Sequence, residues 1–255
     1  MAHQTWHPTE TYRGHPTLRM DWERFYKEFP DRYHRFALST DLVVEAMHRI
    51  FGFGGARVLD VASGTGRSTF AIARWAAHVV GVEPWAEMRN EAIRRQAGLG
   101  VTNVEFLEGG TEALPPAPPR SFDRAVSVYG APFYYYGSPE ENQRQTELLL
   151  ARLEALLRPS GVVAFGSTSP TWRRIENQDA GFVFERGALS PDGDDRELPP
   201  LGFAHDDVLV EQDYGSVEEA LATYGFIYGE RAIDYILDRN THRIPIGLRL
   251  FWRRV

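Results

Sequence analysis

Apolar residues fall along this chain in short continuous runs, separated by longer stretches where they recur every three or four positions. The runs are "RVLDVA" (57–62), "VVGVE" (79–83), "VEFLEG" (104–109), "FDRAVSVYG" (122–130) and "VVAFGST" (162–168). Their length and lack of polar alternation predict strands buried on both faces. Between them, "RSTFAIARWAAH" (67–78) places Phe70, Ile72, Ala73, Ala76 and Ala77 at helical spacing. "PWAEMRNEAIRRQAG" (84–98) opens with proline and closes on Gly98, the punctuation of a helix. The clearest helix signal is "SPEENQRQTELLLARLEALLRPSG" (138–161). Ser138 is its N-cap, Pro139 its first residue, and Pro159 with Gly161 its stop. Alternating strands and helices predict an α/β fold with a doubly wound parallel sheet.

The flanks read differently. A helical lead-in spans roughly 21–51, and a polar, turn-rich loop covers 186–202. Residues 206–214 read as a strand. Residues 216–240 begin with the capping box Ser216-x-x-Glu219 and read as one mostly helical cap, and 244–254 alternates as a closing strand. The division expected is a helical lid at 1–51 and a main domain at 52–255.

Composition narrows the function little. Of 255 residues, 43% are hydrophobic and 25% charged, as in an ordinary globular chain with a core. The net charge of −7 argues against nucleic acid as the default partner. The absence of cysteine removes disulfides, thiolate metal sites and a thiol nucleophile. No stretch has signal-peptide character or the length and apolarity of a membrane span, so a cytoplasmic protein is expected. No cluster has metal-ligand spacing, and no metal is predicted.

Candidate chemistry centres on the glycine loop after the first of these runs. A phosphate-binding P-loop needs an earlier glycine where Val61 stands and a lysine where Arg67 stands. The dinucleotide pattern G-x-G-x-x-G finds Gly64 and Gly66 but Thr69 at its third position, a poor match. The run Asp60-Val61-Ala62-Ser63-Gly64-Thr65-Gly66 instead fits acidic-x-Gly/Ala-x-Gly-x-Gly. Here the chain resembles the class I S-adenosylmethionine (SAM) dependent methyltransferases, within them the menaquinone, ubiquinone and small-molecule group. "VVGVEPWAEM" (79–88), "VEFLEGGTEALP" (104–115), "SFDRAVSVYGAPF" (121–133) and "LLRPSGVVAF" (156–165) extend the likeness across roughly 56–168.

The resemblance implies a Rossmann-like, doubly wound, mostly parallel seven-stranded sheet with an antiparallel last strand and helical caps. It implies SAM as cofactor and S-adenosylhomocysteine (SAH) as product. Ala62, Ser63, Gly64 and Gly66 would let backbone approach the cofactor, and Asp60 would lie near its methionyl ammonium. Glu83, followed by Pro84, would accept hydrogen bonds from the ribose hydroxyls. Met88 would pack on adenine, with Gly110, Thr111 and Glu112 along the adenine edge and Tyr129 beside the sulfur. Tyr26 and Tyr33 of the lead-in are candidates to cover the methionyl end.

For the acceptor, Phe133, Tyr134, Tyr135 and Tyr228 are candidate contacts, the cap at 216–240 being expected to approach from the side opposite the lid and to bring Tyr224, Tyr228 and Arg231 towards the pocket. The segment Gly130-Ala131-Pro132-Phe133 lacks the polar residue and first proline that amino-methylating enzymes of nucleic acids carry there. His34, His205 and His242 are the conceivable general bases, required only for an acceptor that arrives protonated. The reading is methyl transfer to a small aromatic or apolar acceptor. RNA or protein methylation, or a SAM-binding module without catalysis, are the alternatives.

Overall fold

A computed structural model describes residues 10–114, 116–133, 138–169 and 198–255. Five parallel strands form the body of one sheet: β3 (Arg57–Val61), β4 (His78–Glu83), β5 (Val104–Glu108), β6 (Phe122–Val128) and β7 (Leu157–Thr168). Two more, β8 (Ala204–Asp213) and β9 (Arg243–Arg254), complete it in the order β5-β4-β3-β6-β7-β9-β8. The last strand, β9, runs antiparallel to both neighbours. Ahead of the sheet stands a small hairpin, β1 (Glu10–Tyr12) and β2 (His15–Thr17), which the hydrophobic pattern did not reveal.

The strand residues alternate between two cores. Val58, Val79, Val126, Val128, Val162 and Ala164 face α3 (Ser39–Phe51) and α4 (Arg67–Ala73). Leu59, Val61, Val80, Ala125, Val163 and Phe165 face α6 (Pro139–Leu156), which contributes Leu149, Leu150 and Leu153. Each fully buried Leu, Val or Phe contributes roughly 1.5–3 kcal/mol of transfer free energy, so both faces must be covered.

Helix ends differ from the sequence expectation where backbone geometry overrides composition. Helix α5 (Ala86–Leu99) starts after Trp85, and its left-handed C-terminal residue is Gly100 (φ 66°) rather than Gly98. Ser138 caps α6 as expected, accepting from the Glu141 N–H at 3.2 Å. The helix stops at Leu156, earlier than Pro159 and Gly161 suggested. Those residues fall in an irregular stretch of β7, where pairing with β6 shifts register and Ser160 takes φ 67°.

The helical lead-in consists of three helices, α1 (Trp22–Glu28), α2 (Pro30–Phe36) and α3, with Pro30 at the first position of α2. The cap at 216–240 is also broken. It runs as α7 (Val217–Ala220), a π-helical turn (Leu221–Gly225), α8 (Phe226–Tyr228) and α9 (Glu230–Arg239). Gly229 separates the last two at φ 81°, ψ −150°, a conformation that favours glycine.

Lid and cap pack on each other instead of approaching from opposite sides. Leu18 and Met20 donate backbone hydrogen bonds to the Phe226 and Ile227 carbonyls, both at 2.6 Å. Phe25, Phe36, Phe226, Tyr224 and Tyr228 share one aromatic layer. Of the expected loop 186–202, residues to 197 lie outside the described ones; its end places Leu198 in the α6-side core.

Candidate functional site

The chain direction of the sheet's connections reverses between β3 and β6, and open α/β folds bind ligands at the carboxyl ends of the strands beside such a point. Two non-glycine residues there adopt left-handed backbone: Ala62 (φ 59°) after β3 and Tyr129 (φ 57°) after β6. Both line a cavity of about 430 Å³. Such strain concentrates at functional sites because the surrounding fold must hold it.

Most of the expected cofactor residues meet at this cavity. Tyr26, Tyr33, Ala62, Glu83, Pro84, Met88, Gly110, Thr111, Glu112 and Tyr129 all line it. Glu83 ends β4, almost fully buried. Its Oε2 accepts the Gly64 N–H at 2.8 Å and its Oε1 the Trp85 N–H at 3.0 Å. Burial raises its pKa, and these two N–H donors pull it back down. Each carboxylate oxygen thus takes one backbone donor and keeps lone-pair capacity towards the cavity.

The remaining loop residues lie behind the wall. Gly64 has φ 56°, and a Cβ there would stand 3.4 Å from the Met88 Cε and 3.6 Å from Tyr33. Gly66 meets a different demand from the one expected of it: a Cβ there would fall 2.7 Å from Phe106 and 2.8 Å from Phe70, so its bareness admits two packed rings. Asp60 is buried beneath the loop, where one oxygen accepts the Ser68 and Thr69 hydroxyls, each at 2.6 Å. Desolvation raises its pKa to about 6, against the pull of those two hydroxyls. Its second oxygen and the Ser63 hydroxyl are buried without a hydrogen bond among the described residues.

The acceptor candidates do not gather here. Phe133 is core, its ring 6.3 Å from Phe165 and 6.1 Å from Phe251, so it is absent from the cavity wall. Tyr134 and Tyr135 lie outside the described residues. Tyr228 packs on Tyr224 (4.6 Å) and Trp22 (5.8 Å) within the lid–cap layer, Tyr224 is buried in the same layer, and Arg231 is exposed.

The histidines also fall elsewhere. His205 is exposed on the edge strand β8, and His242 is half-buried and paired with Asp213 at 2.8 Å. His34 contacts Thr65 Oγ1 at 2.9 Å from outside the cavity; burial, then Arg95 and Arg67, push its pKa down to about 3 and hold it neutral. None of the three lines the cavity.

Trp85, Glu108, Gly109, Ala113, Val128 and Gly130 complete the wall, unanticipated from sequence. Trp85 had a signal, an aromatic directly after the strand-end acid; Lys27 of α1 holds its Nζ 4.9 Å from that ring. Among the described residues, the wall carries three glutamates and no lysine or arginine.

A sheet of this order, with a carboxylate-lined cavity at its switch point, defines an α/β protein built to take a ligand at the carboxyl ends of its strands. A methyltransferase-domain family model matches residues 58–161. An uncharacterised methyltransferase of Geobacillus kaustophilus is 27% identical over 159 residues, 56% of this chain and 68% of that protein. A protein-L-isoaspartate O-methyltransferase of Magnetococcus marinus is 33% identical over 113 residues, 44% of this chain and 47% of that one. Among solved structures, the DhpI–SAM–HEP complex superposes with a TM-score of 0.55 at 20% identity, covering 91% of this chain and 95% of that one. The chain spans from 20% to 68% of the length of the curated relatives it matches. Residues 58–161 thus match a methyltransferase domain, and the fold of the whole is shared with the DhpI–SAM–HEP complex.

Proposed function

We propose that the chain transfers the methyl group of SAM to a small apolar or aromatic acceptor held under the lid. One observation carries this reading: among the described residues, the cavity wall combines Tyr26, Tyr33, Trp85 and Tyr129 with three glutamates and no cationic side chain. That lining suits a cofactor without phosphate and an acceptor without phosphate or carboxylate. It disfavours a nucleic-acid backbone, which calls for lysine and arginine.

The residues present fit SAM. Glu83 would hold the ribose hydroxyls with its free lone pairs, and Gly110, Thr111 and Glu112 would border adenine opposite Met88. Asp60, with its unpartnered buried oxygen, would complement the methionyl ammonium. Tyr33 and Tyr129 would flank the sulfonium, whose charge aromatic faces attract. SAM supplies an electrophilic methyl on sulfur with a neutral thioether as leaving group. The protein's task is alignment and exclusion of water, which the lid tyrosines serve. With SAM bound, the acceptor would bond to the methyl as the sulfur–methyl bond breaks, SAH would be left as a neutral thioether, and a proton carried by the acceptor would pass to solvent on release. The three histidines, away from the wall, carry no base role in this scheme.

Curated relatives include an RNA and a protein methyltransferase, so the acceptor class needs its own test. Parallel calorimetric titration with SAM, SAH and NAD tests the cofactor: micromolar binding of the first two and none of NAD is expected. Labelled methyl from SAM should then enter a panel of small aromatic and isoprenoid acceptors. Label entering only RNA or protein would overturn the acceptor assignment, and NAD binding alone the cofactor assignment.

A further inference from the structure

The lid's second helix lies directly over the glycine loop. Tyr33 faces Gly64, and the neighbouring His34 ring shares a hydrogen bond with the Thr65 hydroxyl. Arg67, the first residue after the loop, reaches back to the same place. Its Nη1 donates to the His34 backbone carbonyl at 2.9 Å, and its Nη2 donates to Asp41 Oδ2 at 2.7 Å. His34 belongs to α2 and Asp41 to the first turn of α3. Only Ala37 and Leu38 separate those two helices. One guanidinium therefore spans the joint on which the lid would swing, anchored in the loop that borders the cofactor cavity.

We propose that Arg67 is a positioning residue that latches the lid shut over the cofactor, with the His34 ring on Thr65 as the latch's second contact. The proposal rests on the assignment of the cavity to SAM. A planar, forked donor suits this role because its rigid geometry holds a carbonyl and a carboxylate on separate prongs, whereas an ammonium offers one compact point with no fixed reach to both. The latch closes on backbone of α2, so it fixes the helix as a body and with it Tyr33 in the cavity wall. Tyr26 follows, since its ring meets Tyr33 edge-on at 5.3 Å. Opening of the lid must break the Arg67 bonds and the His34–Thr65 contact together. Product release then depends on a residue that does not itself line the cavity.

The test compares wild type with Arg67→Ala and Arg67→Lys. Amide hydrogen exchange is followed without ligand, and SAH release is followed by stopped flow. Arg67→Ala should accelerate exchange in residues 22–36 and 63–66 while α6 keeps its wild-type protection. SAH should leave roughly 10- to 100-fold faster, the scale set by losing one or two charge-assisted hydrogen bonds. Arg67→Lys, which keeps the charge but not the double reach, should fall between the two and stands in if the alanine variant does not fold. Wild-type exchange over 22–36 in both variants, or a loss of protection spread equally over α6, overturns the latch. A wild-type protein that fails to bind SAH overturns the cofactor assignment instead, and the ligand-free exchange still decides whether Arg67 holds the lid.

Discussion

Glu83 and Gly64 are joined by a 2.8 Å hydrogen bond from the loop N–H to the carboxylate. The acid at the end of one strand thereby braces the glycine loop at the end of the next, and one side chain serves both loop shape and the cavity wall. Glu83→Ala should weaken SAM binding by roughly 10- to 100-fold through lost hydrogen bonds to ribose. It should also cost about 1–3 kcal/mol of stability, because the buried Gly64 and Trp85 N–H groups lose their acceptor. Calorimetry and urea denaturation measure the two effects separately. Unchanged SAM affinity would show that the ribose lies elsewhere.

Gly66→Ala should be destabilising without any ligand. The new methyl would meet Phe106 and Phe70 below 3 Å, at a residue with φ 80°. Left-handed strain and overpacking together predict a loss of roughly 2–4 kcal/mol in chemical denaturation. Adding Phe106→Leu should recover only the packing part. A change within about 0.5 kcal/mol, the usual span of neutral surface substitutions, would mean the loop relaxes freely.

Tyr129 and Ser39 form a partly buried pair, the phenol donating to the serine hydroxyl at 2.9 Å. Tyr129→Phe and Ser39→Ala should each cost about 1 kcal/mol. The double variant should cost clearly less than the sum, because both changes remove the same bond. Additivity in a denaturation cycle would show that the bond contributes nothing.

Asp60 sets a pH dependence whose sign is unusual for a carboxylate. Its folded pKa lies at about 6, above the ordinary 3.8, because burial outweighs the Ser68 and Thr69 hydrogen bonds. The fold therefore binds this proton more tightly than the unfolded chain does. The favourable contribution is present in acid and is lost as pH rises from about 4 to about 6. Relative to Asp60→Asn, wild type should lose roughly 3 kcal/mol across that window and then hold a constant difference. A difference that is flat from pH 4 to 7 would place the carboxyl at its ordinary value.

The parallel strands were legible because burial on both faces leaves no room for polar alternation; "RVLDVA" needs no partner to identify it. Helix starts at Ser138 and Ser216 were legible for a local reason, a side-chain oxygen within reach of a free N–H. What escaped the sequence was tertiary in origin. Nothing between 216 and 240 announces a π turn, and Gly229 looks like any helix glycine until φ 81° is seen.

The same holds for the site. Glu83 was legible as a cavity residue because it is the acid that ends a buried strand, and the ends of those strands border the cavity. Phe133 was misassigned because an aromatic at a sheet's mouth can point to solvent, ligand or core with the same local sequence. The packing of Phe165 and Phe251 decides it.

The joint layer of lid and cap is drawn from two places far apart in the chain. The lid precedes β3, and the cap interrupts the polypeptide between β8 and β9, while the family-matched stretch ends at residue 161. The roof and the floor of the cavity are therefore separately encoded. A lineage could exchange the roof, and with it what is admitted beneath, while leaving the Glu83–Gly64 floor untouched. Paralogues of this chain should accordingly diverge in their preferred acceptors while sharing one methyl donor.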